Sequence, residues 1–493
     1  MKKLSKLFLT SAVLLGMGSV ILVKTSQTSQ AQSIVTKQPG TKNYGIYSKI
    51  SNKGVSHKVA STNQFKVGYY QSTGSKKTKS GTYWYVYVDG HALGWVNEKF
   101  FVRNKISVAK SVSLVNNSHG SFDVKDAINY VTDSHGTVVN PSKVKVSGKP
   151  QITTDNSGTH KVNYTYGKAH ASVKVEVRDD ADEGIGSANI APKSGPKAKA
   201  ISKGHRNNFE IATKTTNLNN NGIKLKTLFF EPSTLSLRGS WLTQVGPIPE
   251  GLTVSNGWST VSMLADSTDQ RGHLVSYKNS KMSKFNTQKL TSLNLGNFKS
   301  LAANIKVSPY IRLGHAQSLG STKKYIYVMA NDNKQSNSEA SEEILQIRKS
   351  DMQIEKIWSF KIWNGSAANK RYIHNAVIVN DNTMYALFHN GGNHRYEYWK
   401  ITREGDTWTP VEVGATQTDF VTNSPVQGFT YDSNKKRFYI AYNDHIFKVK
   451  ENGQYLGESS FKTNREIEGL SVSGNKLYVQ MAQRSEILSG TVK

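Results

Sequence analysis

The chain has 493 residues and no cysteine, so it is long enough for several packed cores, none of them stapled by disulfides. Lys and Arg number 64 against 35 Asp and Glu, a formal charge of +29 that directs it toward polyanionic partners. Neither a P-loop nor a Gly-x-Ser-x-Gly elbow occurs, which removes the usual signatures of nucleotide and acyl-transfer chemistry.

In chain order, the first element is "MKKLSKLFLTSAVLLGMGSVILVKTSQTSQAQS": Lys2, Lys3 and Lys6 precede an apolar run from Leu7 to Val23, and a polar stretch then leads to Ser29-Gln30-Ala31. This is the layout of a secretory signal peptide, expected over residues 1–31. An uncleaved anchor helix is the alternative, because the 17-residue run sits at the short edge of a membrane span. Cleavage removes four lysines and no acid, leaving 29 − 4 = +25. The C-terminal "SEILSGTVK" has no sorting motif followed by an apolar tail. The expectation is therefore a secreted protein of a Gram-positive bacterium, extracellular or held noncovalently on the cell wall. Outside the cell, teichoic acids or anionic lipid headgroups become the expected polyanions, and nucleic acid does not.

Residues 44–102 read as short aromatic strands, "YGIYSKI", "FKVGYYQS", "TYWYVYVDG" and "HALGWVNEKFF". Alternation through Tyr83-Trp84-Tyr85-Val86-Tyr87-Val88, stopped by Asp89-Gly90, is a strand entering a hairpin turn. The stretch resembles a GW module, a small β-barrel repeat of bacterial surface proteins whose naming dipeptide is Gly94-Trp95 here. The resemblance implies noncovalent attachment to lipoteichoic acid or wall polymer. Residue chemistry points the same way: Lys49, Lys53, Lys58, Lys66, Lys76, Lys77, Lys79 and Lys99 face only Asp89 and Glu98, a local charge of +6. Trp84 and Trp95 have two open roles, barrel core or ligand platform.

Residues 106–178 alternate through "ISVAKSVSLV", "SKVKVSG", "HKVNYTYG" and "ASVKVEVRD" and predict a β-sandwich. With "VTDSHGTVV" and "NSGTHKVNYTYG" it resembles a bacterial Ig-like domain, which implies a spacer. Residues 179–208 lack periodicity and are rich in Gly, Pro, Ala and Lys, so a flexible linker is expected and the remainder should move independently.

From residue 209 one short pattern recurs: polar, small, apolar, then an apolar strand centre eleven or thirteen positions on. The copies are Glu250-Gly251-Leu252, Gln317-Ser318-Leu319, Asn375-Ala376-Val377, Gln427-Gly428-Phe429 and Glu468-Gly469-Leu470, spaced 67, 58, 52 and 41 residues apart. Five such units over residues 209–493 predict a five-bladed β-propeller, making the whole protein all-β. The small residue fits where first strands converge on a central channel. Only 26 residues remain from Glu468 onward, too few for a full blade, so "IKLKTLFF" or "GSWLTQV" upstream should complete the last blade and spare it an unpaired edge. The two nearly identical copies, at Glu250 and Glu468, would then be neighbours.

Three stretches, "GHAQSLGSTKKYIYVMAND", "SPVQGFTYDSNKKRFYIAY" and "EIEGLSV", resemble the helveticin J family of large heat-labile bacteriocins over roughly residues 210–490. The resemblance implies action on related Gram-positive bacteria. The family, however, is the propeller-like part alone, and here GW-like and Ig-like modules precede it. The same region also admits an adhesin or carbohydrate-binding protein without killing activity.

The leading candidate constellation is the ring Glu250, Gln317, Asn375, Gln427 and Glu468, joined by His315 and His374. Two roles are open for it: binding a sugar or peptide at the channel mouth, or satisfying backbone groups at strand starts. A glycosidase would pair Glu250 with Glu468, but adjacent blades and neutral amides elsewhere speak against hydrolysis. The "NDN" turns at 331–333 and 380–382 lack the spacing of a calcium loop. No cofactor and no metal are expected, and the protein is expected to be a monomer.

Overall fold

The computed structural model describes residues 33–36, 43–65, 69–88, 90–116, 120–179, 190–192, 201–202, 210, 212–232, 248–264, 270–282, 294–330, 342–362, 373–390, 394–417, 420–422 and 424–493. The signal-like segment, "GSWLTQV" and most of the linker lie outside the described residues.

The N-terminal module is one six-stranded antiparallel sheet. Its order is Ser33–Thr36, Tyr69–Thr78, Gly81–Val88, His91–Asn97, Gly45–Ile50, Val55–Ser61. The first of these strands begins ahead of residue 44, so the sheet is wider than the aromatic stretch alone indicates. Period-two alternation turns Val86 and Val88 inward, where Ile46, Leu93, Val96, Phe65, Tyr70 and Phe100 join them in a core.

Residues 105–178 form a two-layered sandwich. Lys145–Val146, Gly158–Tyr166, Ala169–Arg178 and Ser111–Val115 make one layer. The pairs Lys105–Val108 with Ile128–Thr132 and Ser121–Asp123 with Gln151–Thr153 face it. Ile106, Val112, Phe122, Ile128, Val131, Tyr164 and Val175 fill the interior, and the Tyr164 hydroxyl donates to the Val124 carbonyl at 2.6 Å.

Five antiparallel sheets follow. The first runs Ile248–Ser255, Trp258–Leu264, Arg271–Lys278, Ile305–Val307, and the second Ser318–Ser321, Tyr325–Met329, Glu342–Arg348, Ile354–Phe360. The third runs Asn375–Asn380, Thr383–Asn390, Arg395–Glu404, Thr407–Gln417, and the fourth Gly428–Asp432, Arg437–Tyr442, His445–Lys450, Tyr455–Ser460. The fifth takes Ile467–Ser473, Lys476–Met481 and Glu486–Val492 from the chain end and adds Ile223–Phe230 and Asn217–Asn220 from its beginning. The upstream "IKLKTLFF" thus completes the last sheet, as the residue count requires.

Each sheet touches the next in a cycle, a propeller-like arrangement. Ser262 Oγ donates to the Ala316 carbonyl at 2.8 Å, the Ala376 amide to Ser318 Oγ at 2.8 Å, and Asn375 Nδ2 to the Val426 carbonyl at 3.1 Å. The Val472 amide donates to Thr430 Oγ1 at 3.2 Å, and the Val254 amide to Ser471 Oγ at 2.9 Å, which joins the fifth sheet to the first. The small residue of the repeat has a steric cause: a Cβ on Gly469 would stand 2.7 Å from the Leu252 amide nitrogen, and one on Gly251 would stand 2.5 Å from the Ala316 carbonyl oxygen.

The expected independence of the two halves does not hold. Ser111–Val115 pairs in parallel with Ala169–Arg178 on one side and with Ile354–Phe360, the outer strand of the second sheet, on the other. One eight-stranded sheet therefore runs from the Ig-like layer into the ring. Buried Asn129 clamps the seam, accepting from the Ile354 amide at 2.7 Å and donating to the Ile354 carbonyl at 3.1 Å. Arg178 spans it from Ser113 to the Ser359 carbonyl, and Asp126 pairs with Arg271 at 3.2 Å and Arg312 at 3.3 Å. Replacing Asn129 by Leu strands both Ile354 backbone groups, and chemical denaturation should read a loss of about 1–3 kcal/mol. An unchanged midpoint would mean that the Asn129 clamp contributes nothing.

The N-terminal sheet is also docked. His91 stacks on Phe298 of the helix Leu295–Ala302 at 4.1 Å, Phe65 stacks on the same ring at 6.1 Å, and Lys299 Nζ donates to the Val59 carbonyl at 2.8 Å. Among the described residues no helix is long and apolar enough to cross a membrane.

Candidate functional site

The lysines of the N-terminal sheet gather at one end. The turns at 51–54 and 78–81 meet through the Lys79 amide, which donates to the Asn52 carbonyl at 2.9 Å. Lys53, Lys77 and Lys79 therefore share a tip, Lys49 and Lys76 stand just behind it, and all five are exposed. Glu98 pairs with Arg103 at 3.0 Å, so its charge is answered away from the lysines. Lys58 is exposed further along the sheet, as is Lys99 beyond the last strand, while Lys66 lies outside the described residues. Such an array meets a polyphosphate through many modest contacts with no single pocket.

The two tryptophans separate. Trp84 turns toward the Ig-like module, 6.0 Å from Phe101 and 6.4 Å from His135, and acts as packing. Trp95 is half-exposed on the opposite face, aligned with Tyr47 and Tyr85 on its neighbouring strands.

At the ring, the first strands place their polar residues together. Gln317 Nε2 donates to Gln427 Oε1 at 2.9 Å, which links the second sheet to the fourth past the third. Gln427 Nε2 donates onward to Glu466 Oε1 at 3.0 Å, and Gln483 Nε2 to Glu466 Oε2 at 3.2 Å. Asn375 uses its amide on the Val426 carbonyl, as the strand-start role requires. His374 accepts the His389 amide proton at Nδ1, 3.0 Å away, and so faces its own sheet. Glu466 was not among the sequence candidates, although it stands two positions before the repeat's Glu468 in "EIEGL".

Electrostatics set this polar cluster apart. Burial, with the Glu466 carboxylate adding, pushes the Glu250 carboxyl up to about 8. Burial also holds Glu468 well above the ordinary carboxylate range, reinforced by Glu250 and by its hydrogen bond to Glu466. His315 Nε2 lies 3.5 Å from Glu250 Oε2, yet burial lowers this imidazole while raising that carboxyl, so the contact is between neutral groups near pH 7. Burial, with His389 adding, lowers His374 to about 4. Glu250 and Glu468 lie on touching sheets, since Gly469 abuts Leu252.

Among the described residues no group of three or more His, Asp or Glu is arranged to hold a metal ion. The turn at 380–382 is tied to the second sheet, with Asp381 Oδ1 accepting from Thr322 Oγ1 at 2.7 Å and from the Tyr327 hydroxyl at 2.9 Å. The turn at 331–333 lies outside the described residues.

Two family models match parts of the chain: the GW (Gly-Tryp) dipeptide domain over residues 25–101, and the bacterial Ig-like domain (group 3) over residues 120–177. No curated protein matches the chain. Similar solved structures include the nidogen/laminin complex, at 9% identity and TM-score 0.30, covering 56% of this chain and 89% of that one. Another is the Myceliophteria thermophila Cps50 (Swd1) β-propeller domain, at 8% identity and TM-score 0.24, covering 48% and 64%. BamB from Moraxella catarrhalis is similar at 8% identity and TM-score 0.22, covering 49% and 83%. These likenesses are too weak for any functional argument to rest on them. The chain is an all-β modular protein with a GW module and a bacterial Ig-like module, an assembly that suits a cell-surface protein and association with the cell wall.

Proposed function

We propose that this is a secreted protein held noncovalently on the Gram-positive wall, whose N-terminal sheet grips teichoic or lipoteichoic acid and whose five-bladed propeller serves as a binding platform. The lysine tip carries this reading: five exposed ammonium groups crowd two touching turns, and Glu98 is engaged elsewhere. Binding of this kind releases counterions, so affinity should fall steeply with salt. The test is binding of the purified protein to isolated walls, with and without teichoic acid, across a salt series. A combined Lys53, Lys77 and Lys79 to Ala variant should lose about tenfold or more in affinity at low salt. Salt-independent binding, or full binding by that variant, would defeat the electrostatic account.

A second reading adds antagonism toward related Gram-positive bacteria, and the helveticin J-like motifs at the starts of the sheets favour it. Growth inhibition and dye leakage on a strain panel separate the two. Killing supports the bacteriocin, whereas coating of cells without inhibition leaves an adhesin or carbohydrate-binding protein.

A further inference from the structure

The outer face of the N-terminal sheet carries a line of aromatic rings that the lysine tip does not explain. Cross-strand partners share a face, and the register runs Gly74 opposite Tyr85, Tyr85 opposite Trp95, Trp95 opposite Tyr47, and Tyr47 opposite Lys58. One row therefore crosses five strands. Tyr87 extends it, its ring 5.3 Å from Tyr85 at 67°, while Tyr85 meets Trp95 at 5.2 Å and 72°. All four rings are half-exposed, and the module's core is built from Val86, Val88, Val96 and Ile46 without them. Leaving that much aromatic surface in water forgoes burial that would stabilise the fold. At one end the row opens: nothing lies within 4 Å of where a Cβ on Gly74 would stand. Lys58 ends the row, and Lys76 and Lys49 lie one residue pair away on their strands, opposite Tyr83 and Ser56.

Rings set edge to face form shallow notches with apolar walls and phenol hydroxyls at the rim. A pyranose has the matching surface, one face of C–H groups bounded by hydroxyls. The flanking ammonium groups call for anions close to that sugar. We propose that Tyr47, Tyr85, Tyr87 and Trp95 bind the sugar substituents of an anionic sugar-phosphate wall polymer, with Lys49, Lys58 and Lys76 on the neighbouring phosphates. The inference rests on the wall-binding reading and adds selectivity to it: the lysine tip accepts any polyphosphate, and the aromatic row distinguishes a glycosylated chain from a bare one. Single-stranded nucleic acid also offers rings and phosphates, but bases stack on rings presented face outward, and tilts of 67° and 72° interrupt such a platform.

The experiment titrates the purified protein with glucosylated poly(glycerol phosphate), with the same polymer lacking glucose, and with a thymidine oligonucleotide, at one salt concentration. Trp95→Ala and Tyr85→Ala should each weaken binding of the glucosylated polymer by about tenfold and leave the bare polymer bound as before. Should Trp95→Ala fail to fold, Tyr87→Ala trims only the ring beside Tyr85 on its strand, and selective loss of the glucosylated polymer there is the same supporting result. Equal affinity of the parent for both polymers, or equal loss of both in the aromatic variants, overturns the sugar site and leaves wall binding intact. Failure of the parent to bind either polymer removes the wall-binding reading and this site with it. A Trp95-dependent affinity for the oligonucleotide that glucosylation cannot match assigns the face to nucleic acid instead.

Discussion

Replacing Glu486 by Ala should lower stability by about 3–5 kcal/mol, the largest single-residue effect expected anywhere in the ring. Glu486 and Arg465 form an ion pair in which both side chains are almost fully buried. Glu486 also accepts from Thr216 Oγ1 at 2.8 Å and from Thr227 Oγ1, residues of the upstream segment that completes the fifth sheet. Arg465 donates from Nε to the Ala482 carbonyl at 3.0 Å and from Nη2 to the Arg484 carbonyl at 2.8 Å. Removing the carboxylate leaves a buried guanidinium without its counter-charge and takes an acceptor from Thr216 and Thr227, at the point where the two ends of the domain are fastened. Urea denaturation followed by circular dichroism measures the loss. The double replacement Arg465→Met with Glu486→Leu should recover much of it, because a buried pair contributes less than a broken one costs. A single variant as stable as the parent would show that closure does not depend on this pair.

The second large effect is a pH dependence. Near the mouth, Glu250 is raised to about 8, and Glu231, buried beside Gln480 and Tyr277, is raised to about 8 by burial as well. A carboxyl raised in the folded state contributes its full stability below the ordinary carboxylate range, and that contribution is lost as pH rises through its folded value. Two buried histidines work in the opposite sense: His273 and His374 are lowered to about 4, so their contribution is complete above the ordinary imidazole value and is lost as pH falls through about 4. Because the two sets oppose each other, the informative quantity is a difference between variants. Glu250→Gln should match the parent near pH 4 and exceed it at pH 8.5 by a margin on the order of 4 kcal/mol. A gap that does not change with pH would mean that Glu250 ionises freely in the folded protein.

The repeated units could be read from the chain because the constraint behind them is local and steric. Gly251, Gly428 and Gly469 stand where a neighbouring sheet leaves no room for a Cβ, and sequence records that restriction directly. The role of Ile223–Phe230 was legible by arithmetic, since the segment after Glu468 was too short for a full sheet. The seam between Ser111–Val115 and Ile354–Phe360 left no such trace. Backbone hydrogen bonds ask little of side-chain identity, and "SVSLV" reads the same whether its second edge faces water or another strand. The aromatic row escaped for a different reason. Tyr47, Tyr85 and Trp95 are far apart in sequence, and only strand register, shifted by bulges at Ile46/Tyr47 and Val86/Tyr87, brings them into line. Glu466 escaped because the repeat pattern carries one polar position per unit, whereas the polar cluster draws on a residue ahead of the repeat as well.

The fastening of the fifth sheet has a consequence for how the molecule comes into being. Ile223–Phe230 waits for Glu486–Val492, and Ser111–Val115 waits for Ile354–Phe360, so these two seams form late, although consecutive strands within each sheet can pair as they emerge. A ribosome delivers Glu486–Val492 after every other described strand of the ring, and until then the growing chain holds open strand edges and unburied apolar faces. Closure of the native state is thus a late step that rests on contacts between distant segments, the slow kind of pairing. The same topology resists reversal, since separating Glu486–Val492 disturbs Ile223–Phe230, and separating Ser111–Val115 disturbs the outer strand of the second sheet. Persistence over time, rather than a large equilibrium stability, is the property this order of assembly favours.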